Sequence, residues 1–567
     1  MKQVFDTLRT RMLELFKRIA DEKETITIDG VPGYSGKAQF TNGKVICEAA
    51  YVVSELLDPD TQAHGITQLT EIIHFTSRML FETWGILYAL EGIYRLDQHG
   101  LAATAIAKED LSHLKQVLDW RTFVDTDHDY ALIHKPTNYY GVAFGIARYR
   151  ELLGWEPVGY SEILLDHLLQ HISRYSGEYG FMDETIGGGR FDRYSILIPA
   201  EITELVVATK WQEPDLIRRM LSCSARICLR MANPQGTGFS YGRSIGAYGD
   251  AAALQILSTA AAVGGILTEE ETLLAQGYCC ALVRSLVHFW YDEDMQSINM
   301  WDKGRRTDAY RNKNRILGEN LSLSMQIIGA KEQWDRCGRS LEETPDGWQA
   351  LLVHQSGCFL TRFADDPLPR SLITVRDGNT IWSLPVISGA DEYIDRDPYL
   401  PVPRSNFYLE AVPDCTHGAW LPVLVLNSGT LLIPTGFADR TELQEGSGNT
   451  CQVRIHQTGF VKAGVRPIET EARAEIDTVF TFAPGIITRE DTIRIAPDLV
   501  ADIDCLRLQC DILAGQVEAS GYEHCEHLAP EVVCLDTPHG RCREAVRHTL
   551  RSFPSDGVIH VRWTYHY

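Results

Sequence analysis

Hydrophobic and polar positions divide the chain into two textures. Up to about residue 345, apolar residues recur at spacings of three and four, the pattern of a helix with one buried stripe. The period runs through ITQLTEIIHFTSRMLFETWGILYALEGIYRL, NYYGVAFGIARYRELLGW, YSEILLDHLLQHISRYS and PAEITELVVATKW. It continues through PDLIRRMLSCSARICLRMA, DAAALQILSTAAAVGGIL, EEETLLAQGYCCALVRSLVHFWY and NRILGENLSLSMQIIGAKEQW. This spacing predicts about ten to twelve helices with short connections and hardly any strand. Helix pairs of similar length fit a degenerate repeat of a solenoid or toroid.

After about residue 350 a period of two takes over. GCFLTRFA, RSLITVRDGNTIWSLPV, WLPVLVLNSGTLLIP, CQVRIHQTGFVKAGVRP, AEIDTVFTFAPGIITREDTIRIA and GVIHVRWTYHY are short, β-branched or alternating runs punctuated by Asp-Gly, Asn-Ser-Gly and Pro. They predict an all-β half suited to a large antiparallel sandwich. The expected division is a helical domain over 1–345 and a β-domain over 346–567, joined around GRSLEETPDGWQA (338–350).

Composition narrows the function. The 567 residues carry 53 Lys+Arg against 76 Asp+Glu, a net charge of −23. That balance argues against sequence-neutral binding to nucleic acid and requires a local basic patch for any anionic substrate. The opening MKQVFDTLRTRMLELFKRIADEKE is an amphipathic charged helix without an apolar signal core, and no apolar run is long enough for a membrane span. A cytoplasmic protein is the expectation, and whether it forms a homo-oligomer is left open. The 14 cysteines are scattered, and the group Cys505, Cys510, His524, Cys525, His527, Cys534, His539 and Cys542 matches no zinc spacing. Reduced thiols are the expectation, with no metal and no cofactor.

Four polar, aromatic stretches precede helical runs, where a ring of helix hairpins would draw a mouth. In VDTDHDYALIHKPTNYYGVAF (124–144), Asp125, Asp127, His128 and Asp129 lack an EF-hand pattern and read as capping and solvation. Asn138, with His134, Tyr139 and Tyr140 nearby, is either a helix N-cap or a carboxylate receptor at a helix N-terminus. In EYGFMDETIGGGRFDRYSILIPAEITEL (178–205), a triple-glycine loop adjoins Arg190, Asp192, Arg193 and Tyr194. These read either as surface salt pairs or as a ligand site. Glu201 and Glu204 share a helical face. GFSYGRSIGAYGD (238–250) offers Arg243 to pair with a carboxylate and Tyr248 to move a proton. Its bland alternative packs Tyr241 and Tyr248 on the rim and pairs Arg243 with Asp250. NMWDKGRRTDAYRNKNRILGEN (299–320) interleaves Trp301 and Tyr310 with basic residues including Arg305, which suits acidic sugars. In the β-half, SNFYLEAVPDCTHGAWLP supplies Tyr408, His417 and Trp420, either as binding groups or as core and turn residues.

The toroid-then-sandwich order resembles the heparinase II/III-like polysaccharide lyases and related bacterial toroid–sandwich proteins. The FDRYS segment (191–195), the GRSIGAY stretch (242–248) and the following GDAAALQILSTAA carry that resemblance. It implies an N-terminal (α/α) toroid, a large antiparallel β-sandwich, and β-elimination on uronic-acid oligosaccharides. Asn138, His134, Arg243, Tyr194 and Tyr248 are then the candidates for carboxylate neutralisation and proton transfer, and Tyr139, Arg190, Asp192, Arg193, Trp301, Arg305 and His417 for substrate contact. A glycoside hydrolase is the alternative, with carboxylates drawn from Asp183, Glu184, Asp192, Glu201 and Asp250. A non-catalytic carbohydrate-binding protein is the third reading.

Overall fold

The helical half is built from hairpins whose inner members close a ring. In chain order the helices are α1 (Lys2–Glu22), α2 (Thr41–Tyr51), α3 (Pro59–Thr76), α4 (Trp84–Gln98), α5 (Ala102–Ala105), α6 (Lys108–Val117) and α7 (Asn138–Leu152). They continue with α8 (Tyr160–Tyr175), α9 (Arg193–Ala208), α10 (Asp215–Arg230), α11 (Ala247–Val263), α12 (Glu269–Arg284) and α13 (Ile316–Arg336). The computed structural model describes the chain except residues 36–39, 134–137, 177–178, 186, 304–311, 390–392, 396–398, 407–419, 447–449, 512–515, 521–525 and 538–539. At 445, 509–511, 516–520, 526–537 and 540–546 only the backbone is described.

Helices α2, α4, α7, α9, α11 and α13 touch in that circular order, α13 returning to α2. α8 and α10 cover the ring from outside, on α7 and on α9 and α11 respectively. Outer helix α10 buries one stripe (Ile217, Met220, Leu221, Ser224, Ala225, Cys228) and leaves charges outside. α2 is buried almost all round, Lys44 and Glu48 included, and lies outside the predicted runs. The run 66–96 is two helices, α3 and α4, parted at residues 77–83, where Thr83 adopts φ 51°.

Helix α2 lies against α4 backbone to backbone. A Cβ on Gly43 would sit 1.9 Å from the Gly85 carbonyl oxygen, so only glycine permits this approach. Gly43→Ala is expected to destabilise the protein by about 1–3 kcal/mol, as overpacking does. A urea midpoint equal to that of the wild type would contradict the tight α2–α4 seam.

The β-half alternates as predicted. Strand Ala474–Ala483 buries every second residue, and Ile486–Ile495 pairs with it in antiparallel register. A seven-stranded and a six-stranded sheet share one core with residues of a four-stranded sheet, among them Leu424, Leu432, Phe480, Ile487, Trp563 and Trp382. Within that core Arg489 and Asp491 form a buried pair at 2.8 Å. The four-stranded sheet runs Arg404–Ser405, Thr380–Val386, Arg370–Asp377, Gly357–Ala364. Its Phe363 and Leu372, with Ile387 just beyond it and Tyr399, belong to the helical core. This sheet therefore seats the β-half against the ring.

Candidate functional site

The N-terminal ends of the inner helices gather at the mouth that faces the four-stranded sheet. α9 begins there because Asp192 caps it, its carboxylate accepting the Tyr194 N–H at 2.8 Å. The preceding glycine loop is folded over Asp183. Its carboxylate accepts the backbone N–H groups of Thr185, Gly189 and Arg190 at 2.8, 2.9 and 3.1 Å. From the β-half, Arg370 donates to the Gly189 carbonyl at 2.8 Å, and the Phe191 N–H reaches the Ile387 carbonyl at 2.9 Å. Tyr399 donates to Asp192 at 2.6 Å. The loop is thus clamped from both domains.

The stretch before α11 enters this frame beside Asp192. Gly242 has φ 71°, and a Cβ there would stand 2.8 Å from the Asp192 Cβ. Two residues on, Ser244 holds φ 55°, a left-handed conformation costing a non-glycine residue about 1 kcal/mol. That geometry places its hydroxyl 3.3 Å from the Tyr194 hydroxyl. The Arg193 and Arg243 guanidiniums lie 4.4 and 4.6 Å from the centre of the Tyr194 ring.

Arg243 is paired with Glu184 and lies 3.4 Å from Asp192. It does not pair with Asp250, which accepts the Gly238 N–H at 2.6 Å and the Trp290 indole at 2.7 Å. Glu184 is shared with Arg190 at 3.1 Å, and Arg190 in turn covers the Tyr393 ring at 4.4 Å. Burial pushes the Asp192 carboxyl up, while Arg190, Tyr399 and Arg193 draw it down. These arginines are therefore embedded in a carboxylate lattice, not displayed as surface pairs.

Tyr248 differs from expectation. It is 3 % exposed and its hydroxyl donates to Glu319 of α13, while its carbonyl accepts from Arg193 at 3.1 Å. It ties α11 to α13 and α9, whereas Tyr194 and Tyr139 are partly exposed. Tyr139 stacks on Phe123 at 5.6 Å; burial raises its phenol, with a Thr83 hydrogen bond, Tyr194 and Arg243 all within electrostatic reach. Asn138 is the first residue of α7, and its shielded Oδ1 has no hydrogen-bond partner. Trp301 is half-buried against the helical core. His134, Arg305, Tyr310, Tyr408 and His417 lie outside the described residues. Trp420 packs in the β-core, edge-on to Tyr565 at 5.2 Å.

The acidic stretch 125–129 behaves as capping: Asp125 accepts the Asp127 N–H at 3.0 Å and meets His128 at 2.7 Å. Among the described cysteines all are free thiols. Among the described residues one group has metal-ligand proximity, His74 with Glu109 and Asp110, and Arg78 pairs with Asp110 at 2.8 Å.

Below the mouth, the ring encloses a cavity of about 540 Å³. Trp84, Tyr88, Asn138 and Ile198 line its upper part; Tyr149, Glu91, Glu201 and Glu204 also line it. Loss of hydration holds the Glu201 carboxyl up at about 7, opposed by Arg193 and reinforced by Glu204. Glu91 is likewise pushed up to about 7, by burial first and then by Glu204. Since an ordinary glutamate titrates near 4.5, the native state holds more protons than the unfolded chain between these values. These groups therefore cost stability progressively as pH rises from about 4.5 through 7. Glu201→Gln is expected to gain stability over the wild type at pH 8 and to show a smaller difference at pH 5. A difference independent of pH in urea melts would exclude an elevated Glu201.

The sequence pattern pointed to Arg190, Asp192, Arg193, Tyr194, Arg243 and Glu201, but not to Glu91, Arg370 or Tyr399. Glu91 had a local signal, a carboxylate amid the apolar run ILYALEGIY. Arg370 and Tyr399 had none, because they reach the site across the domain junction.

No family model matches this chain, and no curated protein matches it. Among solved structures, it is similar to a mutant of the Streptomyces coelicolor A3 chondroitin AC lyase, with a TM-score of 0.50 at 10% identity, covering 98% of this chain and 79% of that one. A chondroitinase AC lyase aligns with a TM-score of 0.45 at 9% identity over 99% of this chain and 82% of that one. A heparinase III aligns at 0.32 and 9% identity over 100% of this chain and 93% of that one. Among the described residues no helix is long and apolar enough to cross a membrane. The likeness to the Streptomyces lyase is one of fold, and the chain has that architecture: an N-terminal helical toroid followed by antiparallel β-sheets.

Proposed function

We propose that this protein is a polysaccharide lyase that cleaves uronic-acid-containing oligosaccharides by β-elimination. The observation that carries the reading is the Tyr194 phenol, partly exposed at the mouth, hydrogen-bonded to Ser244 and flanked by Arg193 and Arg243. The shared fold with a chondroitin AC lyase supports the same class. In this scheme Asn138, at the N-terminus of α7, and Arg243 neutralise the uronate carboxylate, which acidifies the proton on C5. Tyr194 takes that proton as phenolate. The C5–H electron pair forms the C4=C5 double bond, the C4–O bond breaks, and the proton passes from Tyr194 to the leaving glycosidic oxygen. Tyr248 positions the α9–α11–α13 corner through Glu319. Arg190, Asp192 and Tyr139 form the wall around it.

The test is incubation with glucuronate-containing oligosaccharides while following the ultraviolet band of a 4,5-unsaturated uronate. A rise in that band is expected; sugar release without it would replace the lyase by a hydrolase. What speaks for the lyase over the hydrolase is that Asp183, Glu184, Asp192 and Asp250 are each engaged by backbone, arginine or indole donors. Glu201, held near neutrality with an unpartnered oxygen, is the carboxyl that could donate a proton.

A further inference from the structure

The N-terminus of α9 is held from both halves of the chain. Asp192 is fully buried, so its charge depends on the donors packed around it. Its Oδ1 accepts the Tyr194 N–H at 2.8 Å, which caps α9, and its Oδ2 accepts the Tyr399 hydroxyl at 2.6 Å. The second is the length of a hydrogen bond from a hydroxyl to a charged oxygen. The same Oδ2 lies 3.4 Å from Arg243 Nε. One carboxylate thus meets the backbone of Tyr194, the guanidinium of Arg243 and a phenol from the β-half.

Tyr399 is suited to that contact. It is buried, and burial together with Asp192 pushes its phenol well above the ordinary range, so it remains a donor. Its ring packs on Tyr393, the two centres 4.8 Å apart, and Tyr393 lies under the Arg190 guanidinium at 4.4 Å. Backbone meets backbone beside it: a Cβ on Gly389 would stand 1.8 Å from the Gly188 carbonyl oxygen. Phe191, next to Asp192, stacks on Phe363 of the β-half with ring centres 5.5 Å apart. Arg190 on the glycine loop, Arg193 on α9 and Tyr241 before α11 also lie within electrostatic reach of Asp192, and Glu184 shares Arg243 with it.

We propose that Tyr399 is a positioning residue. Its hydroxyl holds the Asp192 carboxylate in place, and through it the Tyr194 end of α9 and the Arg243 guanidinium, so that the β-half is a working part of the site. Tyr399 acts through Asp192 and not on a reacting atom. That this serves elimination rests on the roles proposed above for Tyr194 and Arg243; the hold on Asp192 rests on the bond alone. Without the hydroxyl the carboxyl keeps its proton to a higher pH, and a protonated Asp192 no longer offers Arg243 a counter-charge.

Tyr399→Phe keeps the ring and its packing on Tyr393 and removes one oxygen. Carbon-13 NMR of the aspartate carboxyls, with the Asp192 signal identified by its absence in Asp192→Asn, reads the hold directly. The Asp192 midpoint is expected to rise by about one pH unit, the tenfold equivalent of a hydrogen bond to a charged group. The acidic limb of kcat/KM on a glucuronate-containing oligosaccharide should rise with it, activity returning at higher pH. Tyr179→Phe removes another phenol–carboxylate bond across the junction, to Asp365, and should move neither. An unmoved Asp192 midpoint, or a moved midpoint with a uniform loss of activity and an unmoved acidic limb, would overturn the positioning role. Should the wild type perform no elimination, the lyase reading falls, and the carboxyl midpoint alone decides whether Tyr399 holds Asp192.

Discussion

Tyr194→Phe is expected to lower turnover on a glucuronate-containing oligosaccharide by about 10²–10⁴-fold, the usual contribution of a positioned acid–base group. The fold should survive. The substitution deletes one hydroxyl whose partner, Ser244, lies 3.3 Å away, and the ring keeps its place between Arg193 and Arg243. The loss should therefore fall on kcat, with KM little changed, because in the proposed scheme the phenol acts on the C5 proton and not on the carboxylate. Tyr248→Phe provides the contrast. Its hydroxyl is buried on Glu319, so its removal should cost stability first and activity only through the α11–α13 corner. Wild-type turnover in Tyr194→Phe, with activity lost in a folded Tyr248→Phe, would reverse the two roles.

The second large effect is expected at Arg243. Arg243→Ala should raise KM at least about tenfold, the scale of a charge-assisted hydrogen bond to a carboxylate. It should also destabilise the protein by about 3 kcal/mol, because Glu184 and Asp192 are buried and lose a shared cation. Both consequences come from one geometry: the guanidinium is held on one side by the two carboxylates that aim it. Arg243→Lys separates them. A lysine keeps the charge that the carboxylates need but not the planar fork, so stability should recover more than KM does. An unchanged KM in both variants would remove Arg243 from the carboxylate clamp.

The alternation of helical and strand texture was legible because each half buries a face with its own period. Outer helices such as α10, one stripe in and one out, wrote their period plainly, as did the alternating strand Ala474–Ala483. Helix α2 lies outside the predicted runs, and its charged residues Lys44 and Glu48 lie inside the protein, a placement that local spacing does not reveal. The glycine-rich loops were likewise visible as places of close approach. Their chemistry was visible only as an inventory. GFSYGRSIGAYGD displays an arginine, two phenols and an aspartate, but spacing could not say which phenol faces a ligand or which acid meets the arginine.

The chain's own pattern determined a helical half followed by a β-half, an acidic protein, and the loops from which a mouth would be drawn. These follow from local periodicity and composition, which need no knowledge of distant neighbours. Only the tertiary structure decided that Arg243 pairs with Glu184 and Asp192 while Asp250 takes Gly238 and Trp290. It alone put Tyr194 at the mouth with Tyr248 buried, and brought Arg370 and Tyr399 from the β-half onto the glycine loop and Asp192. Ring closure is the physical reason. When α13 returns to α2, loops far apart in sequence meet at one rim, and carboxylates on separate helices come to share one lumen.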